Sequence, residues 1–287
     1  MSTLTSSVDG KSDHAPEPRP RFADLLAAEW IKMRSLRSTY WVLALSALAA
    51  IVINVNAVHN DLAYIDGQHP VAAGLPPFRY DPLWHGLNKI AADLMGLAAA
   101  AFGAITVFGE FATGMIRTTF AAVPDRRAVI TAKVAMVTTI TIVLGAIVST
   151  ASFFLTNAML ASRHLGLSIH DRGCTRAVAA YALIAPVCAL LGMAFGAVLR
   201  HATASITGVV GMLFLLPMLF GGDRYKLLKE IGDYLPLQAA SRLTLNPAFH
   251  ISLGKYPATI SGSWIALAAW SLASVIVAVV VVRRRDV

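Results

Sequence analysis

Charged residues are scarce in this chain, at 14% of 287 residues, whereas soluble globular domains carry roughly 25%. The mean hydropathy is +0.64. This composition excludes an ordinary soluble globular domain. Cysteine is also rare, and the two cysteines, Cys174 and Cys188, have no spacing typical of a disulfide framework or a metal site. We interpret both as small packing residues.

Motifs of catalysis and metal binding are missing as well. None of the eight histidines begins an HExxH motif, and no GxSxG motif occurs. Gly10-Lys11-Ser12 lacks the first glycine of a phosphate-binding loop. We therefore expect no catalytic, cofactor-binding or metal-binding residues. No nucleic acid is expected as a partner, because the basic residues are dispersed and lie near the ends of apolar runs.

What the sequence does contain is six apolar runs, each long enough to cross a hydrocarbon core of about 30 Å. They span residues 40–58, 90–108, 134–160, 177–199, 202–220 and 264–282. They predict an all-α membrane protein with a single domain over residues 21–287, preceded by a disordered polar tail over 1–20. An even number of spans places both termini on one side. Basic residues near the membrane predict that this side is cytoplasmic: Lys32, Arg34, Arg37, Arg126, Arg127 and 283–285.

The connection between the second and third spans, residues 109–133, has more pattern than a linker needs. Apolar residues recur at helical spacing and polar residues fill the other faces: Phe111, Met115, Ile116 and Phe120, with Glu110, Thr113, Arg117 and Thr118. Gly109 is predicted to end the preceding helix, Pro124 to end the short one, and Asp125 to cap the next. The short helix either rests on lipid headgroups or offers a rigid surface to another protein.

The segment before the first span is amphipathic and is predicted to lie in the membrane interface. One helical face carries Phe22, Leu25, Leu26, Trp30, Met33 and Leu36. Glu29 falls in the middle of this face, where a carboxylate needs a basic partner. We expect Arg117 first, then Arg126 or Arg127. The alternative is a local pair with Lys32.

Three further patterns predict local structure. Gly192 and Gly196 are four residues apart and favour close helix packing. Asp93 lies one turn inside a span, four residues after Lys89, so it either forms a local pair with Lys89 or serves a substrate or proton role. The loop over 221–263 predicts two short helices on the outer side, which are either re-entrant or interfacial.

The run Glu110 to Phe120 resembles the coupling helix of type-2 ABC exporter permeases of the short actinobacterial kind, and residues 29–38 are similar to their N-terminal signature. The resemblance implies an elbow helix before the first span, a cytoplasmic coupling helix between spans two and three, and short outer helices between spans five and six. Its site residues correspond here to a coupling set and an elbow set. These are Glu110, Phe111, Met115, Ile116, Arg117 and Phe120, and Glu29, Trp30, Lys32 and Arg34.

The same resemblance implies a bacterial plasma-membrane permease driven by a separate ATPase subunit, which binds the ATP and Mg. A second permease chain, identical or related, would complete the path. The nearly uncharged spans favour an amphipathic or lipid-like cargo. The alternative is a secondary transporter or channel, although such proteins usually show internal repeats or charges deep in their spans.

Overall fold

The computed structural model describes residues 21–35, 37–67, 80–123, 125–220, 225–247 and 257–284. Over these ranges the chain is helical and forms no strand. The helices are α1 (Phe22–Ser35), α2 (Arg37–Gly67), α3 (Pro82–Gly86), α4 (Lys89–Ala112), α5 (Met115–Ala122), α6 (Arg126–Ala161), α7 (Cys174–Leu199), α8 (Ala202–Val210), α9 (Leu216–Phe220), α10 (Lys226–Asp233), α11 (Pro236–Thr244) and α12 (Ile260–Arg284). A π-helical turn, Gly211–Leu215, joins α8 to α9.

Among the described residues, six helical segments are long and apolar enough to span a membrane, and each contains one of the predicted runs. They are Ser38–Ala63, Pro82–Ala112, Arg126–Ala161, Cys174–Leu199, Ala202–Phe220 and Ile260–Arg284. Their lengths differ widely, from 19 residues in the fifth segment to 36 in the third. The six segments indicate a multi-pass membrane protein and confirm the all-helical prediction.

Helices α4 and α7 form the centre of the bundle, and the other spans pack around them. Glycine allows their backbones to touch. A Cβ atom added at Gly192 would overlap the carbonyl oxygen of Ala100, and one at Gly103 would overlap that of Ala189. A Cβ atom at Gly196 would lie 2.8 Å from the carbonyl oxygen of Ala104. The close approach predicted from Gly192 and Gly196 is therefore confirmed.

The region between the first two predicted spans, residues 59–89, is partly helical. Helix α2 continues to Gly67, because the first proline of the region is at position 70. Helix α3 then begins at Pro82, and Asp81 caps it by accepting a hydrogen bond from the backbone nitrogen of Leu83. Residues 68–79 and the predicted tail over 1–20 lie outside the described residues.

The two short helices predicted between spans five and six are confirmed as α10 and α11. Helix α11 packs against α7 and α12 through a buried apolar face, formed by Leu237, Ala239, Ala240 and Leu243. Arg176 of α7 fixes its end, since the guanidinium donates to the carbonyl oxygens of Leu243 and Leu245. Helix α10 is far more exposed, with Leu227 at 73%. The pair therefore has an embedded member and a surface member.

Candidate functional site

The chain turns from α4 into α5 at Gly114, and the prediction that Gly109 ends the preceding helix is wrong. Gly109 is inside α4, where its carbonyl oxygen accepts hydrogen bonds from the backbone nitrogen and the hydroxyl of Thr113. Gly114 adopts a positive φ of 70°, a conformation that favours glycine. The predicted cap of α6 is confirmed, because Asp125 accepts from the backbone nitrogens of Arg127 and Ala128.

Because α4 runs to Ala112, Glu110 belongs to a long helix and points into the protein. It joins Glu29, Lys32 and Lys133 in what we call the ion cluster. The ammonium of Lys133 lies 2.5 Å from Glu29 and 2.9 Å from Glu110. Glu29 and Lys133 are each only 3% exposed. Two acids and two bases thus balance within a largely buried group.

Lys32 completes the ion cluster from α1. Its ammonium lies 2.8 Å from Glu29 and 2.9 Å from Glu110, and 3.4 Å from the hydroxyl of Thr119 in α5. Burial alone would lower the pKa of Lys32, but its hydrogen bonds to the two carboxylates and their charges outweigh this effect and hold the pKa above its ordinary value. The cluster therefore fastens α1, α4, α5 and α6 together at one end of the bundle.

Glu29 does contact a basic residue of the 109–133 connection, as predicted, but that residue is not one of the three arginines named. The partner is Lys133, together with the local partner Lys32, and not Arg117, Arg126 or Arg127. Lys133 was missed because it directly precedes an apolar run, a position where basic residues commonly serve as membrane anchors.

The predicted apolar face of α1 turns only in part toward the protein, and Leu36 of that face lies outside the described residues. The residues that turn toward the protein are four apart, namely Leu25, Glu29 and Met33. Phe22 and Trp30, which were assigned to the same face, are 45% and 44% exposed. Leu25 and Met33 therefore pack against the protein, whereas Phe22 and Trp30 lie on its outer surface.

The remaining predicted site residues divide into a buried and an exposed group. Ile116 is buried, and Phe111 and Phe120 are half-buried against the core. The guanidinium of Arg126 lies 5.1 Å from the ring centre of Phe120. Exposed residues are Met115, Arg117 and Arg34. Helix α5 is therefore rooted by two apolar residues and presents Met115 and Arg117 outward.

A second polar group, near the other end of the bundle, was not found by sequence reasoning. Asn54 of α2 is fully buried and donates to Ser152 of α6 at 2.9 Å and to the hydroxyl of Tyr181 of α7 at 3.2 Å. Its side-chain oxygen accepts from the backbone nitrogen of Asn88, the cap of α4, at 2.9 Å. The available signal was an asparagine inside an apolar run. This group ties four helices together.

The local pair predicted between Lys89 and Asp93 is confirmed, with the ammonium 2.7 Å from the carboxylate. The pair lies at the first turn of α4, next to the buried Asn54 group. Lys89 and Glu110 lie near opposite ends of α4, so the Lys89–Asp93 pair is about 30 Å from the ion cluster. The two ends of the bundle thus carry separate polar centres.

No protein-family model matches the sequence, and a comparison with curated proteins finds no significant match. A functional assignment therefore depends on the residues and their geometry.

Proposed function

We propose that this chain is the membrane-spanning permease subunit of an ABC transporter of the type-2 exporter class, energised by a separate ATPase. One observation carries the proposal: the ion cluster joins α1, α4, α5 and α6, the elements that such a subunit needs to move together. The resemblance of residues 110–120 and 29–38 to the coupling helix and N-terminal signature of this class adds to it.

In this proposal α5 is the coupling helix and α1 the elbow helix. Met115 and Arg117 on the exposed side of α5 contact the ATPase, while Ile116 and Phe120 hold α5 against the bundle. A displacement of α5 then reaches α1, α4 and α6 through Thr119, Lys32 and Glu110. Buried side chains are close-packed and transmit such displacements efficiently.

The proposal also sets the surroundings of the chain. The ion cluster lies on the cytoplasmic side of a bacterial plasma membrane, as the basic residues near the spans favour, and α10 and α11 lie on the outer side. ATP and Mg²⁺ are bound by the ATPase. Two permease chains, identical or related, pair to form the path. The cargo is amphipathic or lipid-like, because the spans offer mostly apolar surface.

The proposal is tested by tagging the chain in its native cells and identifying the proteins that co-purify in mild detergent. An ABC ATPase should be recovered, and the complex should hydrolyse ATP in liposomes whereas the chain alone should not. The variant Met115→Asp should be produced in the same amount as the unchanged chain but should co-purify with less of the ATPase. Transport by the purified chain alone, driven by an ion gradient without ATP, would establish the secondary transporter instead.

A further inference from the structure

A cavity of 750 Å³ opens at the end of the bundle opposite the ion cluster. It lies between the first turns of α4, the middle of α7, the short helices α10 and α11, and residues 257–258 before α12. Its volume falls within the range of about 300–1,000 Å³ that small-molecule sites occupy.

The charged residues that line the cavity carry more positive than negative charge. Lys89 pairs with Asp93 at 2.7 Å, and Lys229 pairs with Asp233 at 3.3 Å. Each carboxylate is thus matched by a lysine four residues away on its own helix. Arg242 of α11 adds a fifth charge, which has no acidic partner among the described residues. The lining therefore holds one excess positive charge.

Arg242 is held in place from one side. Its Nε atom donates to the carbonyl oxygen of Ala258 at 2.8 Å, which fixes the plane of the guanidinium. Arg176, which holds the end of α11, is close enough to Arg242 for the two charges to repel each other. A second cation behind the wall strengthens the positive potential inside the cavity. A fixed guanidinium in such a field is suited to a carboxylate or phosphate.

Apolar residues also line the cavity. Trp84 and Leu87 lie at its α3 end, Ile90 follows in α4, and Ile184 and Leu237 come from α7 and α11. The indole of Trp84 is 48% exposed, although tryptophan usually buries most of its surface. The lining of the cavity therefore combines an excess positive charge with apolar side chains, and an amphiphile with an anionic head requires both.

We propose that this cavity binds an amphiphile with a phosphate head, the head lying at Arg242 and Lys229 and the chain lying along Trp84 and Leu237. The inference goes beyond the proposed function, because it concerns binding by this chain alone and holds whether or not an ATPase drives it. It rests on the cavity and on the charges and apolar residues that line it.

The test uses the full chain in nanodiscs of phosphatidylcholine and measures quenching of tryptophan fluorescence. The probe is a lysophosphatidic acid with a dibrominated stearoyl chain, added at low mole fraction. Bromine quenches only the indoles that it contacts, and the Trp84→Phe variant isolates the signal of Trp84. We expect saturable quenching of Trp84 by this probe. The lysophosphatidylcholine with the same brominated chain should give only weak, unsaturated quenching.

The charge requirement is tested by Arg242→Gln and Lys229→Gln. Each should lower the apparent affinity for the probe about tenfold, the usual effect of removing one hydrogen bond to a charged group. Lys226→Gln, on the same helix as Lys229 but outside the cavity lining, should bind as the unchanged chain does. Because Arg242 also holds the segment at Ala258, the Lys229 variant keeps the test valid if Arg242→Gln misfolds.

Three results would overturn the proposal. Equal quenching of Trp84 by the two brominated lipids would remove the need for an anionic head. Unchanged affinity in both Arg242→Gln and Lys229→Gln would show that the two cationic side chains do not bind the phosphate head. Displacement of the probe by inorganic phosphate at equal concentration would identify a site for the free anion rather than an amphiphile. No ATPase is present in any of these measurements, so their failure is distinct from failure of the proposed function.

Discussion

The ammonium nitrogen of Lys133 lies 2.5 Å from Oε2 of Glu29, a residue 104 positions earlier in the chain. Both side chains are almost fully buried, at 3% and 4% exposed. Each of the two residues has a second partner of opposite charge. Lys133 also contacts Glu110 of α4, and Glu29 also contacts Lys32 of its own helix. The docking of α1 onto the bundle thus depends on charges from α4 and α6.

Glu29→Gln should destabilise the chain by up to about 3–5 kcal/mol, because it leaves Lys32 and Lys133 to share the single carboxylate of Glu110 in a largely buried site. The measurement is the midpoint of unfolding in detergent, followed by circular dichroism. Arg34→Gln is the matched control, because Arg34 is exposed on the same helix and its loss should leave the midpoint unchanged.

A double-mutant cycle separates the partner found in the structure from the one predicted from sequence. Glu29→Gln and Lys133→Met should be strongly non-additive, because the two side chains share one contact. Glu29→Gln and Arg117→Gln should be additive. Additivity in the first pair together with non-additivity in the second would place the partner of Glu29 at Arg117 after all.

The raised pKa of Lys32 predicts a dependence of stability on alkaline pH. A group whose pKa is higher in the folded state stabilises fully below its unfolded pKa of about 10.4, and this contribution is lost as the pH rises through the folded pKa. The difference in unfolding midpoint between the unchanged chain and Lys32→Met should therefore be constant from about pH 7 to 9 and shrink above about pH 10.4. A constant difference across the alkaline range would contradict the prediction.

The contact between α4 and α7 predicts opposite effects for two glycine substitutions. Gly192→Ala forces a methyl group onto the backbone of α4 and should destabilise the chain by about 1–3 kcal/mol, as overpacking usually does. Among the described residues, no atom outside the adjoining turns of α4 lies within 4 Å of the new methyl group in Gly109→Ala, so this variant should be neutral or stabilise by up to about 1 kcal/mol through helix propensity. Unfolding midpoints of both variants check the pair.

Met115→Asp should reduce recovery of the ATPase while leaving the unfolding midpoint unchanged, because Met115 is 43% exposed and its replacement buries no charge in the isolated chain. Ile116→Asp is the informative contrast. Ile116 is buried, so this variant should lower the midpoint itself. An ATPase complex that assembles normally with Met115→Asp would show that α5 contacts its partner elsewhere.

Sidedness can be read from single cysteines at exposed positions. A cysteine at Lys226 should react with an impermeant thiol reagent added to intact cells, and one at Thr118 should not, if the ion cluster faces the cytoplasm. The native Cys174 and Cys188 are both buried, so the unchanged chain provides the background. A cysteine at Ala240, in the other short helix, would not react from outside, because Ala240 is buried in α11. Labelling at 118 without labelling at 226 would invert the orientation.

The six spans could be predicted because a bilayer sets a minimum apolar length that the sequence shows directly. The contact at Gly192 and Gly196 was equally readable, since small residues four apart lie on one helix face. The face of α1 was not, because apolar residues on an interfacial helix serve lipid and protein alike. Only Glu29, a charge that lipid rejects, identified the side that contacts protein.

The ion cluster could be anticipated from Glu29 and its local partner Lys32, but the contacts with Lys133 and Glu110 could not. A carboxylate on an apolar face implies a basic partner, yet the choice among basic residues depends on how α1 lies across α6. That placement is a tertiary relationship with no local sequence signal. The buried position of Glu110 was missed for a related reason. Both Gly109 and Gly114 could end a helix, and only the backbone conformation shows that α4 continues past Gly109 and that the chain turns at Gly114.

The fifth span, Ala202–Phe220, has consequences for the lipid around the molecule. At about 1.5 Å per residue its 19 described residues reach about 28 Å, slightly less than the hydrocarbon core of about 30 Å, whereas the apolar run of α6 over residues 134–160 reaches about 40 Å. A short span is met by thinning of the bilayer beside it, and a long one by tilt. A membrane of longer-chain lipids should therefore strain the molecule at α8 and α9 more than at α6.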